Sequence, residues 1–363
     1  MPIFVQDARK IMRNRKLKIY FLLAILIIGG IILFWQIGSR SITIKGLENQ
    51  EQKENLKPVN KGKVSPITGL ECENYNRRPI AVMLAQDPIT RPLSGIGAAD
   101  LVIEMSVITN SITRIMSVYV CQEPEEIGSV RSARHDYIPL AMGLDAIYAH
   151  WGGSHFALDK LDAGIMDNVD AMKNPYNAYW QKSEIPMPHN GFTSYARLLN
   201  SAEKLGYRLI NNFEGYPHLK NSKLKTQNSK LSSGKLIVDY SGSYRVYYEY
   251  NPETNSYERW RGGTKEIDKL TNKQVEVQNV VVMRAASCMI QPPDYNDVDI
   301  EGTGETMVYR NGEEIKGNWK KEGKYQPTKL YFLDQKGKEI EFVPGKIWIE
   351  IVEPYQEVNW EVE

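Results

Sequence analysis

Eight residues in the middle of the chain hold most of its candidate chemistry. Gly128-Ser129-Val130-Arg131-Ser132-Ala133-Arg134-His135 packs a glycine, two serines, two arginines and a histidine into one run. Guanidinium forks bind carboxylates and phosphates through paired hydrogen bonds, and backbone amides freed beside a glycine turn add donors. The run reads as an anion site on Arg131 and Arg134, with Arg114 joining them and Ser132 and His135 assisting. The opposing reading makes both arginines structural partners of carboxylates such as Asp100 and Glu104.

Two further clusters stand close by. His150-Trp151-Gly152-Gly153-Ser154-His155 sets paired glycines between two histidines, and Pro186-Met187-Pro188-His189-Asn190-Gly191 is a turn that directs His189 and Asn190 toward the same place. The ligand-binding set is therefore Arg114, Arg131, Ser132, Arg134, His135, His150, Gly153, Ser154, His189 and Asn190. All five histidines fall between His135 and His218, which raises a zinc reading, but their spacing matches no zinc motif. No metal and no other cofactor is assigned. A catalytic reading pairs Ser132 or Ser154 with His135, His155 or His189 as base and Asp136, Asp159 or Asp162 as orienting carboxylate. No Gly-x-Ser-x-Gly nucleophile elbow accompanies them.

The elements that must position these residues are legible from their patterns. Short apolar runs at Ile80 to Ala85, Leu101 to Met105 and Ile115 to Cys121 suit strands. Helices are expected at Tyr137 to Leu144, Ala157 to Ala163 and Ser194 to Gly206, the last capped by Thr193 or Ser194 and stopped by Gly206. The polar stretch 221–234 reads as a linker. Beyond it, strands alone are expected, with Asn311-Gly312 as a hairpin turn. Tyrosines at 240, 244, 247, 248 and 250 with Trp260, Trp319, Trp348 and Trp360 either pack on that sheet or present a glycan- or partner-binding face. The fold class is α+β: an N-terminal domain (65–220) layering a mixed sheet with helices, then a mostly β C-terminal domain (235–353) and a tail (354–363).

Upstream, Ile19 to Ile37 carries no charge, enough to span a bilayer core of roughly 30 Å as a helix. Residues 1–18 before it hold Arg9, Lys10, Arg13, Arg15, Lys16 and Lys18, which keeps the N-terminus cytoplasmic. A cleaved signal peptide would need small residues at its exit, where Trp35-Gln36-Ile37-Gly38-Ser39 stands instead, and the first cysteine, Cys72, is too distant for a lipidation box. Residues 38–64 form a polar tether. The chain carries a net charge of +1, so no electrostatic footprint of nucleic acid is visible. Three cysteines are too few for a disulfide scaffold; a Cys72–Cys121 bridge is one pairing open to them.

Taken together, Arg78-Pro79-Ile80-Ala81-Val82-Met83, Ala99-Asp100, Thr113-Arg114, the 128–134 run, His150-x-Gly152-Gly153-Ser154 and Pro188-His189-Asn190 resemble the YerB-like family, domains of unknown function in cell-envelope lipoproteins mainly of Gram-positive bacteria. The resemblance continues through Tyr257-x-Arg259, Asn311-Gly312, Gly317-x-Trp319 and Pro344-Gly345-Lys346-x-Trp348 and covers roughly residues 66 to 353. It implies a layered sheet-and-helix fold and extracytoplasmic placement, and supplies no catalytic residues. The chain departs from the family pattern in two places: a transmembrane anchor replaces the lipidated cysteine, and Ser129 replaces the usual proline of the Gly-Pro-Val-Arg-Ser run.

The expected function is a membrane-anchored, extracytoplasmic envelope protein, without assigned enzymatic activity, that binds an anionic group of a wall fragment or partner protein. The alternatives are a wall-polymer hydrolase or transferase and a scaffold for envelope-assembly proteins.

Overall fold

The computed structural model describes residues 63–109, 111–220, 233–292 and 295–362. The expected span Ile19–Ile37 and the linker residues 221–232 lie outside the described residues. Among the described residues no helix is long and apolar enough to cross a membrane.

Strands β1 (Ile80–Ala85), β2 (Leu101–Ser106) and β3 (Thr113–Tyr119) are buried along their whole length. Their near-continuous apolar runs are what a strand covered on both faces requires. Then come β4 (Ile127–Gly128), α1 (Tyr137–Gly143), β5 (Ile147–His150), α2 (His155–Asp162), β6 (Asn168–Asp170), β7 (Tyr179–Gln181), β8 (Gly191–Thr193) and α3 (Tyr195–Lys204). The Oγ of Ser194 accepts the Arg197 amide at 3.3 Å, which caps α3. The later part comprises β9 (Gly234–Val238), β10 (Val246–Asn251), β11 (Ser256–Arg261), β12 (Thr264–Lys265), β13 (Glu276–Val277) and β14 (Asn279–Arg284). The β15 (Ser287–Gln291) and β16 (Tyr295–Val298) hairpin follows, then β17 (Gly302–Arg310), β18 (Glu313–Lys321), β19 (Tyr331–Asp334), β20 (Ile347–Val352) and β21 (Val358–Val362). Asn311 and Gly312 turn β17 into β18 with φ of 53° and 71°, the left-handed pair a two-residue hairpin needs.

The architecture is mostly β with few helices, arranged in several sheets. One sheet of ten strands has the order β19-β18-β17-β14-β20-β2-β3-β1-β5-β6, five strands from each side of residues 221–232. The two groups join through the parallel pair β2–β20, with Ile103 opposite Ile349. One face of this sheet packs on α1 and α2 through Met83, Ile103, Met116, Tyr137 and Ile138. The opposite face packs on a second sheet, β12-β11-β10-β9-β21, through Val82, Val102, Trp348, Leu236 and Tyr248. Each of these buried side chains contributes about 1.5–3 kcal/mol of transfer free energy. A bridge between Cys72 and Cys121, Cα atoms 5.7 Å apart, ties the entry segment to the end of β3.

A charged network fixes how the two sheets sit. Arg259 Nη2 donates to Glu104 Oε2 at 2.6 Å and to Glu350 Oε1 at 3.2 Å, Arg261 donates to the same Glu104 oxygen, and Tyr248 donates to Glu350 at 2.5 Å. All five side chains are buried. Burial and the neighbouring Glu104 push the Glu350 carboxyl up to about 7 against the pull of Arg259. The alignment brings the β9–β10 connection to the loop that follows β1, where Arg91 Nη2 donates to Ser243 O at 3.0 Å.

Candidate functional site

Strands β1, β2, β5, β6, β14 and β20 run in one direction, so their carboxyl ends share one edge. In open sheets of this kind that edge is where ligands gather. Asp87 lies just past the end of β1, and Arg114, near the start of the antiparallel β3, falls opposite Ala85 and Met105 at the same edge. Beside β1, β5 pairs only with Ile80–Val82; beyond it the arginine run takes over the edge. The Ala85 amide donates to Ser129 O at 3.0 Å and the Arg131 amide to Met83 O at 2.8 Å. Strand alternation then points Ser129 and Arg131 to the same side.

Three arginines lie within electrostatic reach of one another there, with Asp87 beside Arg114 and Arg131. Arg114, 4% exposed, donates from Nη1 to Asp87 Oδ2 at 3.2 Å and to Thr113 O at 3.1 Å. Arg131 donates from Nη1 to Pro188 O at 3.2 Å, and Arg134 from Nη1 to Ala133 O at 3.0 Å, with its guanidinium 5.8 Å from the Tyr295 ring centre. Among the described residues neither Arg131 nor Arg134 forms an ion pair, although Arg131 lies within the electrostatic reach of Arg114, Arg134 and Asp87. The carboxylates that could have neutralised them are engaged elsewhere. Asp100 Oδ2 accepts the Val120 and Cys121 amides at 2.6 and 3.0 Å, and Glu104 holds Arg259, Arg261 and Thr113. The Nε of all three arginines and the Oγ of Ser129 are buried with no hydrogen-bond partner. Burial, together with the Arg114 charge and against the pull of Asp87, brings Arg131 down to about 10. Burial and Arg114 lower Arg134 as well. His189 sits at the rim, its Nδ1 4.0 Å from Asp87 Oδ2; burial lowers it, and Arg131 and Arg114 oppose its protonation.

The remaining sequence-derived residues support this cluster or stand apart from it. His150 is buried between Gly152 O at 2.8 Å and Asn168 Oδ1 at 3.2 Å, one ring nitrogen to each. Gly153 lets two chain segments meet: a Cβ there would stand 3.1 Å from that of Ala133. The Ala133 amide donates to Gly152 O and the Ser154 amide to Ala133 O, at 2.9 and 3.1 Å. Ser154 Oγ caps α2 by accepting the Ala157 amide at 3.3 Å. These contacts hold the arginine run from behind. Asn190 accepts the Lys182 amide at 2.9 Å and closes the loop carrying His189. Ser132 is half-buried in the run. No hydrogen bond joins Ser132 or Ser154 to a histidine among the described residues.

His135 belongs to a neighbouring acidic cluster. Its Nε2 lies 3.1 Å from Asp297 Oδ1 and 3.3 Å from Asp136 Oδ1, a set compact enough to hold a metal ion. The Lys324 ammonium, however, bonds Asp297 and stands 3.6 Å from Asp136, supplying the positive charge itself. Burial raises the Asp136 carboxyl well above the usual range, and Lys324 lowers Asp297 despite partial burial.

The sequence-derived binding set lacks Asp87 and Tyr295, and also Ser129 and Tyr244, which were named only within the arginine run and the tyrosine series. Gln86-Asp87, a polar pair directly after an apolar strand, was the available signal for Asp87. Tyr244, whose hydroxyl donates to Asp87 Oδ1 at 3.5 Å, and Tyr295 lie more than a hundred residues away and reach the site only through the sheet pairing.

The fold and the residues at its edge define a two-part family of unknown function, and the chain belongs to it. Residues 67–208 match the Protein of unknown function (DUF3048) N-terminal domain and residues 236–349 the DUF3048 C-terminal domain. Among individual relatives, the Bacillus subtilis (strain 168) protein named "Putative lipoprotein YerB" is 34% identical over 310 residues, 83% of this chain and 90% of that protein. The crystal structure of YerB from Bacillus subtilis superposes with a TM-score of 0.72 at 31% identity, covering 82% of this chain and 99% of that one. The crystallised relative therefore folds as a unit corresponding to the region described above.

Proposed function

We propose that this is a membrane-anchored, extracytoplasmic cell-envelope protein that binds an anionic group, on a wall fragment or a partner protein, at Arg114, Arg131 and Arg134. The observation that carries the reading is that Arg131 and Arg134 are half-buried, each with its Nε fully buried, and have no carboxylate partner among the described residues. A desolvated, unpaired guanidinium costs stability, and an anion from outside relieves that cost. A binding role fits better than catalysis. Among the described residues the candidate serines and histidines form no nucleophile–base hydrogen bond: Ser154 caps a helix, and His150 spends one ring nitrogen on Gly152 O and the other on Asn168 of the neighbouring strand β6. Two features favour placement outside the cytoplasm. One is the uncharged stretch Ile19 to Ile37 behind a basic N-terminus. The other is the Cys72–Cys121 bridge, since disulfides persist in oxidising compartments.

The test is thermal unfolding of residues 60–363 against muropeptides, phosphorylated ligands and carboxylates, repeated with Arg131→Ala/Arg134→Ala. A ligand at a hundred times its Kd adds about 2.7 kcal/mol and raises the midpoint by a few degrees. The shift is expected in the parent and absent in the variant, which still unfolds cooperatively. Equal shifts in both proteins would remove the arginines from the account.

A further inference from the structure

We infer that the arginine cluster takes a dianionic phosphoryl group, as in a phosphomonoester or diphosphate, in preference to a monocarboxylate. This rests on the anion-binding reading above and adds the chemical class of the anion.

Charge is the first argument. Arg114, Arg131 and Arg134 lie within electrostatic reach of one another, and Asp87, the one carboxylate paired with any of them among the described residues, offsets one charge and leaves two. The other polar groups at the pocket do not change the count. Tyr244 is a neutral phenol and His189 has its pKa lowered by burial and the arginines. The acidic side chains of the adjoining elements are spent, Asp136 and Asp297 on Lys324 and Glu104 on the inter-sheet arginines. A monocarboxylate would leave one buried charge unmatched. A phosphate monoester carries about −1.5 to −2 at neutral pH and matches the pair.

The donor inventory gives the same answer independently. Four buried donors lack partners: Nε of Arg114, Arg131 and Arg134, and Oγ of Ser129. They come from separate pieces of backbone, β3 on one side and positions 129, 131 and 134 of the crossing run on the other. A planar carboxylate has two oxygens in one plane, suited to a single fork. A tetrahedral phosphoryl group presents three strong acceptor oxygens in three directions, suited to donors carried on different elements.

The experiment is isothermal titration of residues 60–363 at pH 7.5 and fixed ionic strength with inorganic phosphate, pyrophosphate and acetate, on the parent and on Arg131→Gln/Arg134→Gln. Thermal melts confirm that the variant is folded. Phosphate and pyrophosphate are expected to bind at least about tenfold more tightly than acetate, because one extra unit charge at contact distance in a partly desolvated site is worth more than that factor. The preference should vanish in the variant. Acetate binding as tightly as phosphate, with both lost in the variant, would overturn the phosphoryl assignment and leave the anion site standing. No binding by any of the three, or equal binding by the variant, would overturn both.

Discussion

Arg114 Nη1 stands 3.2 Å from Asp87 Oδ2, and this pair is the only ion pair made by the three arginines at the carboxyl edge of the sheet among the described residues. Asp87 thus both holds Arg114 in place and limits how much anion the pocket can attract.

Substituting Asp87 should therefore separate stability from binding. Asp87→Asn leaves Arg114, 4% exposed, without its counter-charge, and the unliganded protein should lose on the order of 3 kcal/mol. Anion binding should strengthen at the same time, because the pocket gains a net positive charge. Paired melts with and without phosphate measure both effects, and a variant that loses stability and binding together would contradict the assignment of Asp87 as a competing anion.

Tyr295 offers a gentler perturbation. Its ring lies beneath Arg134, so Tyr295→Ala removes a cation–π contact worth about 0.5–2 kcal/mol and frees the guanidinium to move. Phosphate affinity should fall several-fold while the fold persists, measurable by the same titration. An unchanged affinity would place Arg134 outside the binding set.

The inter-sheet network predicts a pH dependence of stability. Glu350 has a folded pKa of about 7, above its ordinary value, so the folded state keeps its proton after the unfolded chain has lost its own. Stability is then fully present below the ordinary carboxylate range and declines as pH rises toward 7, levelling off above it; the amplitude is on the order of 3 kcal/mol. Denaturant unfolding of the parent and Glu350→Gln between pH 4.5 and 8.5 should show this decline in the parent and its absence in the variant. Parallel curves would mean that Glu350 does not titrate in this range.

The Cys72–Cys121 bridge closes a separation of 49 residues, for which chain entropy gives about 4 kcal/mol. Cys72→Ser/Cys121→Ser should lower the midpoint by several degrees without altering anion affinity, since neither cysteine touches the arginines. Loss of binding in the folded variant would show that the bridge shapes the pocket.

Local structure was largely legible in the sequence. Ile80–Ala85 matched its strand end to end because six consecutive buried residues leave no polar position to blur the boundary. The cap at Ser194 and the turn at Asn311-Gly312 were equally plain, each set by one residue's backbone preference. Pairing between distant strands was not. Nothing in Leu101–Ser106 or Ile347–Val352 says that the two lie side by side, because parallel pairing is decided by packing across the whole sheet. The site was divided in the same way. Arg131 and Arg134 stood out by local density, whereas Tyr244 read as one of the tyrosines of the later sheet, Tyr295 carried no local mark, and both arrive from the far half of the chain. His150 and Ser154 looked chemical in the sequence and spend their polar atoms on the turn and cap behind the arginines.

The most direct measurement is a phosphate titration of residues 60–363 followed by the arginine Nε–H resonances in ¹H–¹⁵N NMR. The account predicts that the Nε–H signals of Arg114, Arg131 and Arg134 move together along one binding curve, while that of Arg245, paired with Asp239 elsewhere, stays still. If those three signals do not respond, or respond no more than Arg245, the pocket is not an anion site.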